Sequence, residues 1–299
     1  MTNETEPFAE PVEEAIPERA ETASPEAPTP LWTSDAALTL GEARRLTSRR
    51  GATMIMLLGE VDVGKTTLLA EMWTEFLSHG RLGGCGFAGS TTALAFEERS
   101  FGSRIESDAR GAETKRTAEE DDGFLHVRVA PDGGGIRELL WADFTGEHFL
   151  RIREGRPIDE ELPWLGRVDR FLVMIDGALV ASPGTGEIAN TRTQRLLYAL
   201  QASQRVAPSS RLALAVAKQD MMVPQTRDAF GDTESELLTL ALEIDPTAQV
   251  LHLSARPRTG EDPWGLSDVV DWVLSGDRQN LGVQPGQAVP ARSMSRFRS

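Results

Sequence analysis

The chain has 299 residues, with 46 acidic side chains against 31 Lys and Arg, a formal charge of −15. That balance argues against a broad nucleic-acid surface, which needs clustered cations, and no apolar run reaches membrane-spanning length. Cys85 is the only cysteine, which excludes an internal disulfide and a cysteine-based zinc site; with an acidic start unlike a secretory signal, it predicts a cytoplasmic protein.

Residues 1–32 are rich in Glu, Pro, Ala and Thr, with Arg19 the sole basic side chain. Such a segment buries too little apolar surface to offset its ordering entropy, so a disordered acidic tail is predicted. Residues 277–299, with Arg278, Arg292, Arg296 and Arg298 and no regular period, predict a disordered basic tail. Between them, 33–276 reads as one domain with an insertion at about 80–122. It opens with a helix over about 35–49, for which Ser34 is a cap candidate.

The apolar run 53–58 predicts a strand, and it empties into Gly59-Glu60-Val61-Asp62-Val63-Gly64-Lys65-Thr66, followed by Thr67. This is the G-x-x-x-x-G-K-T phosphate-binding pattern. The two glycines let the chain wrap an anion closely, and backbone N–H groups point at the phosphates. Lys65 supplies a charge to the β/γ-phosphates, and the Thr66 hydroxyl is a Mg²⁺ ligand candidate. Leu68, Leu69, Met72 and Phe76 share one face of the helix expected over 65–79, which Gly80 stops. A Gly-rich stretch and a helix over 91–106 come next.

Strands at 124–130 and 136–142, joined by Pro131-Asp132-Gly133-Gly134-Gly135, predict an antiparallel hairpin. The second ends in Asp143, suited to holding Mg²⁺ through water, with Gly146 three residues on and its N–H available to a γ-phosphate. The strand Phe171 to Ile175 ends at Asp176, and a helix over 188–203 precedes strand 211–216. That strand runs into Ala217-Lys218-Gln219-Asp220. A carboxylate there can accept the two donors of the guanine edge, which adenine does not offer, and the Lys218 stem can lie along a base plane. A helix over 233–243 leads to strand 249–253, where His252 reads as a core histidine. Small residues Ser254 and Ala255 follow, then a last helix over 264–275. Buried strands separated by helices predict a three-layer, Rossmann-like α/β domain with a mainly parallel sheet and one antiparallel hairpin. Ligand then binds beyond the carboxyl ends of the strands.

Phosphate loop, D-x-x-G, K-x-D and S-A appear in that order, each at a predicted strand end. Over about 52–275 the chain resembles P-loop GTPases of the translation-factor and Ras-like (TRAFAC) class. The resemblance implies GTP/GDP and Mg²⁺ as ligands, Asp143 and Gly146 as γ-phosphate sensors, and Lys218, Asp220, Ser254 and Ala255 as the base pocket. Ala217 stands where the usual base motif begins with Asn or Thr, which removes a side-chain tie between base loop and phosphate loop. The run Phe87-Ala88-Gly89-Ser90-Thr91-Thr92-Ala93-Leu94-Ala95-Phe96-Glu97-Glu98-Arg99 is similar to a segment of the bacterial double-GTPase families found in conflict and signalling systems. An ordinary helix packing Leu94 and Phe96 into the core stays open for the same residues. The family resemblance implies a companion GTPase or protein effector.

A GTPase of this class needs a threonine before the hairpin to ligate Mg²⁺. Thr117 is favoured over Thr114, with Thr91 and Thr92 further back. Hydrolysis needs an oriented water; the candidates are Glu147, whose charge would repel phosphate, and His148, with Lys65 as the phosphate-side cation. Val61 and Asp62 are bulky where fast-regulated relatives carry Gly. The expectation is a slow GTPase switch whose segments 107–123 and 144–157 respond to nucleotide. The alternatives are a nucleotide-binding scaffold with little hydrolysis, or a P-loop ATPase with Asp176 as its metal-side carboxylate.

Overall fold

The computed structural model describes residues 31–32, 36–108, 122–258 and 260–276. Strands β1 (Leu31–Trp32), β2 (Thr53–Leu58), β3 (Arg81–Leu82), β4 (Cys85–Ser90), β5 (Gly123–Pro131), β6 (Arg137–Asp143), β7 (Arg170–Asp176), β8 (Arg211–Ala217) and β9 (Gln249–His252) form one sheet. Its order is β1-β4-β5-β6-β2-β7-β8-β9, with β3 paired to β4. From β6 through β2, β7 and β8 to β9 every pairing is parallel. The β5–β6 hairpin is antiparallel, and β4 adds to it antiparallel, as does β3 to β4. The antiparallel region is thus wider than the single hairpin expected, because residues 85–90 of the Gly-rich stretch are sheet.

Helices α1 (Leu40–Arg50), α2 (Lys65–His79), α3 (Ala93–Asp108), α4 (Gly146–Arg153), α5 (Ile158–Glu161), α6 (Gly177–Ala181), α7 (Gly186–Ala202), α8 (Pro224–Ile244) and α9 (Leu266–Leu274) cover the sheet. Side chains alternate along β2. Met54, Met56 and Leu58 join the core under α7 and α8, while Ile55 and Leu57 join the core under α2 and α9. Both faces are apolar and both are covered, as a parallel sheet requires. No helix among the described residues is long and apolar enough to cross a membrane.

Three expectations need correction. Helix α1 starts at Leu40 rather than near 35, because Thr39 and Glu42 form a reciprocal capping box there; Ser34 lies outside the described residues. Helix α8 begins at Pro224, earlier than 233, with the proline in its first turn, where a missing N–H costs nothing. His252 is not a core histidine. It sits on the edge strand β9 with its side chain 46% exposed and bonds Glu234 Oε2 at 2.8 Å. The buried histidine is His126 on β5, whose Nε2 meets Glu138 Oε2 at 2.5 Å. In the segment 87–99, Phe96 is buried in the core, whereas Leu94 is exposed.

Candidate functional site

The four sequence motifs follow the carboxyl ends of β2, β6, β8 and β9, on the same side of the sheet as the end of β7. Gly64, in the left-handed region at φ 104°, is the N-cap of helix α2, and no side chain caps the helix. An uncapped helix start leaves its first backbone N–H groups without side-chain partners, an arrangement compatible with an anion. Lys65 is buried and curls back, its Nζ donating to the carbonyls of Gly59 (2.7 Å) and Glu60 (3.0 Å) with the Phe149 ring centroid at 5.3 Å. Burial lowers its pKa to about 8, against the pull of Asp143, Asp62, Asp122 and Glu60. A phosphate would meet an ammonium already aimed through the loop.

Thr66 Oγ1 donates to Asp143 Oδ1 at 3.4 Å, and Asp143 is fully buried at the end of β6. This pair of hard oxygen donors suits Mg²⁺, which takes few protein ligands and completes its shell with phosphate and water. Among the described residues no cluster of three His, Cys, Asp or Glu side chains could hold a metal by itself. Thr117 and Thr114 lie outside the described residues. Thr92 Oγ1 accepts from His126 N at 2.8 Å, and the Thr91 N–H donates to His126 Nδ1 at 3.0 Å, so both serve the turn into α3.

Gly146 opens α4 directly against the phosphate loop. A Cβ there would lie 2.2 Å from Val61 N and 2.6 Å from Glu60 C. Glu147 next to it is exposed. Both ring nitrogens of His148 face carboxylates: Nε2 to Asp122 Oδ2 at 2.6 Å, Nδ1 to Glu161 Oε2 at 2.9 Å. The bond to Asp122 is the main reason its pKa is raised; Glu161 adds to it, while burial and Arg151 oppose. Asp122 also accepts from Thr145 N at 2.7 Å, so it pins the start of α4 to the entry of β5.

The base-side residues converge as well. Asp220 accepts from Ser254 Oγ at 2.5 Å and from Arg258 N at 3.0 Å. An ionised carboxylate has about four acceptor positions, so these bonds orient it without exhausting it. Ser254 and Ala255 are both buried. The lost tie at Ala217 is replaced by one that sequence did not reveal. Lys218 takes a left-handed conformation, φ 55°, and its Nζ donates to the carbonyl of Asp62, itself left-handed at φ 65°. The same ammonium pairs with Asp176 Oδ2 at 3.1 Å. Asp176 also caps α6 through Ala178 N at 2.9 Å, so it is committed to holding the base loop.

Three further contacts escaped the sequence. Glu60 of the phosphate loop is gripped by Arg153 of α4 (2.8 Å) and Arg192 of α7 (3.1 Å). Arg99 of α3 donates from Nε to Asp143 Oδ2 at 2.6 Å.

Residues 53–265 match the sequence model of the family Double-GTPase 2. The chain belongs to the Double-GTPase 2 family. It is therefore a GTPase-family protein. No curated protein matches its sequence. Solved structures that resemble it include a bacterial selenocysteine-specific elongation factor, EF-Sec, at 14% identity and TM-score 0.40, covering 75% of this chain and 28% of that one. The Ski7 GTPase-like domain of S. cerevisiae, bound to GDP and inorganic phosphate, has 14% identity and TM-score 0.46, covering 79% and 51%. The signal recognition particle receptor SRb-GTP/SRX complex of Chaetomium thermophilum has 15% identity and TM-score 0.39, covering 74% and 97%. The Double-GTPase 2 chain thus spans about a quarter of the first of these and half of the second.

Proposed function

We propose that this Double-GTPase 2 protein is a guanine-nucleotide switch that binds Mg²⁺·GTP and hydrolyses it slowly. The observation that carries this is the placing of four motifs after carboxyl strand ends on one side of the sheet, with Lys218 of the base loop bonded to the backbone of the phosphate loop. The backbone of residues 59–66 and the start of α2 cradle the phosphates, Lys65 neutralises the β/γ side, and Gly146 brings its N–H to the γ-phosphate. Thr66 and Asp143 would hold Mg²⁺, Thr66 directly and Asp143 through water. Bound there, the ion neutralises charge that develops between β- and γ-phosphates. Asp220 reads the guanine edge, with Ser254 and Ala255 completing the pocket.

Slow hydrolysis is supported by the surroundings of the γ side. Glu147 is exposed, and His148 is held between Asp122 and Glu161. The same facts favour a second reading, a nucleotide-dependent scaffold with little hydrolysis. Multiple-turnover phosphate release by wild type and Lys65→Ala separates them. A switch releases phosphate slowly in wild type and not in the variant, whereas a scaffold gives the same background in both. Turnover of several per second without a partner would refute slow hydrolysis. Segments 107–123 and 144–157 are the proposed responsive surfaces, and a companion GTPase or effector in a bacterial conflict or signalling system is the proposed partner.

A further inference from the structure

Asp143, the carboxylate assigned to the metal side, already faces a cation. Its Oδ1 accepts from Thr66 Oγ1 at 3.4 Å, and its Oδ2 accepts from Arg99 Nε at 2.6 Å. Both side chains are sheltered: Asp143 is 0% exposed and Arg99 10%. A buried carboxylate without a partner is costly, so the guanidinium is its counter-ion.

Arg99 is delivered there by a well-seated helix. At the turn from β4 into α3, Ser90 Oγ donates to the His126 carbonyl at 2.7 Å, and the Thr92 N–H donates to Ser90 Oγ at 3.0 Å. On α2, Trp73 stacks on Phe96 with centroids 4.7 Å apart and donates from Nε1 to Glu97 Oε1 at 2.7 Å. Arg99 braces itself by donating from Nη1 to the Ala95 carbonyl at 3.0 Å. The guanidinium therefore reaches Asp143 from a rigid base.

Resting on the function proposed above, we propose that Arg99 competes with Mg²⁺ for Asp143, so that the metal enters only as the Arg99–Asp143 pair opens. A divalent ion and a guanidinium on one carboxylate repel at short range, and shielding from water strengthens that repulsion. Arg99 is thus a positioning residue that keeps Asp143 charged and in place without metal, and its release accompanies Mg²⁺·nucleotide capture.

The test is an equilibrium titration of Mg²⁺ into protein and fluorescently labelled GDP, comparing wild type with Arg99→Gln. Removing the competitor lowers the Mg²⁺ midpoint about tenfold, the factor expected for one charge-assisted hydrogen bond, with labelled-GDP affinity in EDTA unchanged. A midpoint that stays or rises in Arg99→Gln overturns the inference while leaving the proposed function standing. Wild type that binds no guanine nucleotide overturns both. If Arg99→Gln does not fold, Arg99→Lys, a point charge without the planar fork, is expected to lower the midpoint about two- to threefold, and an unchanged midpoint overturns the inference.

Discussion

Gly146→Ala probes the contact between the helix after D-x-x-G and the phosphate loop. Gly146 is helical, so alanine suits its backbone and on propensity alone would stabilise by up to about 1 kcal/mol. The added Cβ, however, would sit 2.2 Å from Val61 N and 2.6 Å from Val61 Cα. Backbone cannot rotate away as a side chain can, so α4 and the loop must part by about 1 Å, an overpacking cost of about 1–3 kcal/mol. In a domain of this size that lowers Tm by about 2–12 °C. Because Glu60 and Val61 belong to the proposed phosphate cradle, labelled-GDP binding should weaken about tenfold if 1.4 kcal/mol of that strain falls on the bound loop. Gly231→Ala in α8 is the matched control: a Cβ there meets nothing within 4 Å, and about 0.5–1 kcal/mol of stabilisation is expected. Thermal unfolding without nucleotide and equilibrium binding report both effects. A Gly146→Ala protein with wild-type or higher Tm and unchanged affinity would refute the reasoning.

Lys218→Met keeps the stem but removes the bonds to the Asp62 carbonyl and Asp176; guanine-nucleotide affinity should fall about tenfold, with less than about 1 kcal/mol of stability lost because the pair is partly exposed. Unchanged affinity would show that the tie has no role. His148 has a raised pKa, so the stabilisation it gives is fully present below its ordinary value near 6.5 and is lost as pH rises through the higher folded value. The groups facing it are Asp122, Glu161 and the opposing Arg151, with Arg156 behind Glu161. Tm of wild type should therefore decline with pH above about 6.5 more than that of His148→Gln, and parallel profiles would count against the clamp. Cys85 is fully buried and its thiol is pushed up to about 12, chiefly by burial, so a thiol reagent at pH 8 should label it only after denaturation.

The parallel half of the sheet was legible because β2, β7 and β8 are continuous apolar runs, and the hairpin because Pro-Asp-Gly-Gly-Gly separates the apolar-rich segments of β5 and β6. Strand β4 was not: Cys85-Gly86-Phe87-Ala88-Gly89-Ser90 has two glycines and no β-branched residue, and its pairing with β5, not its propensity, makes it a strand. The phosphate loop was legible because its motif is local. What sequence could not supply are the contacts across the chain. Arg99 lies 44 residues from Asp143, and Lys218 lies 156 residues from Asp62. Nothing in their local pattern shows that either reaches its partner across the chain. The left-handed turn at Lys218, which aims its ammonium at the loop, is a property of the folded backbone alone.

The central claim is that Asp220 reads guanine, and competition for labelled GDP tests it most directly. Wild type should be displaced by GTP and not by ATP at equal concentration, and Asp220→Asn should prefer xanthosine triphosphate, whose C2 carbonyl accepts from the new amide. Equal displacement by ATP, or an Asp220→Asn protein that keeps the wild-type preference, would contradict it.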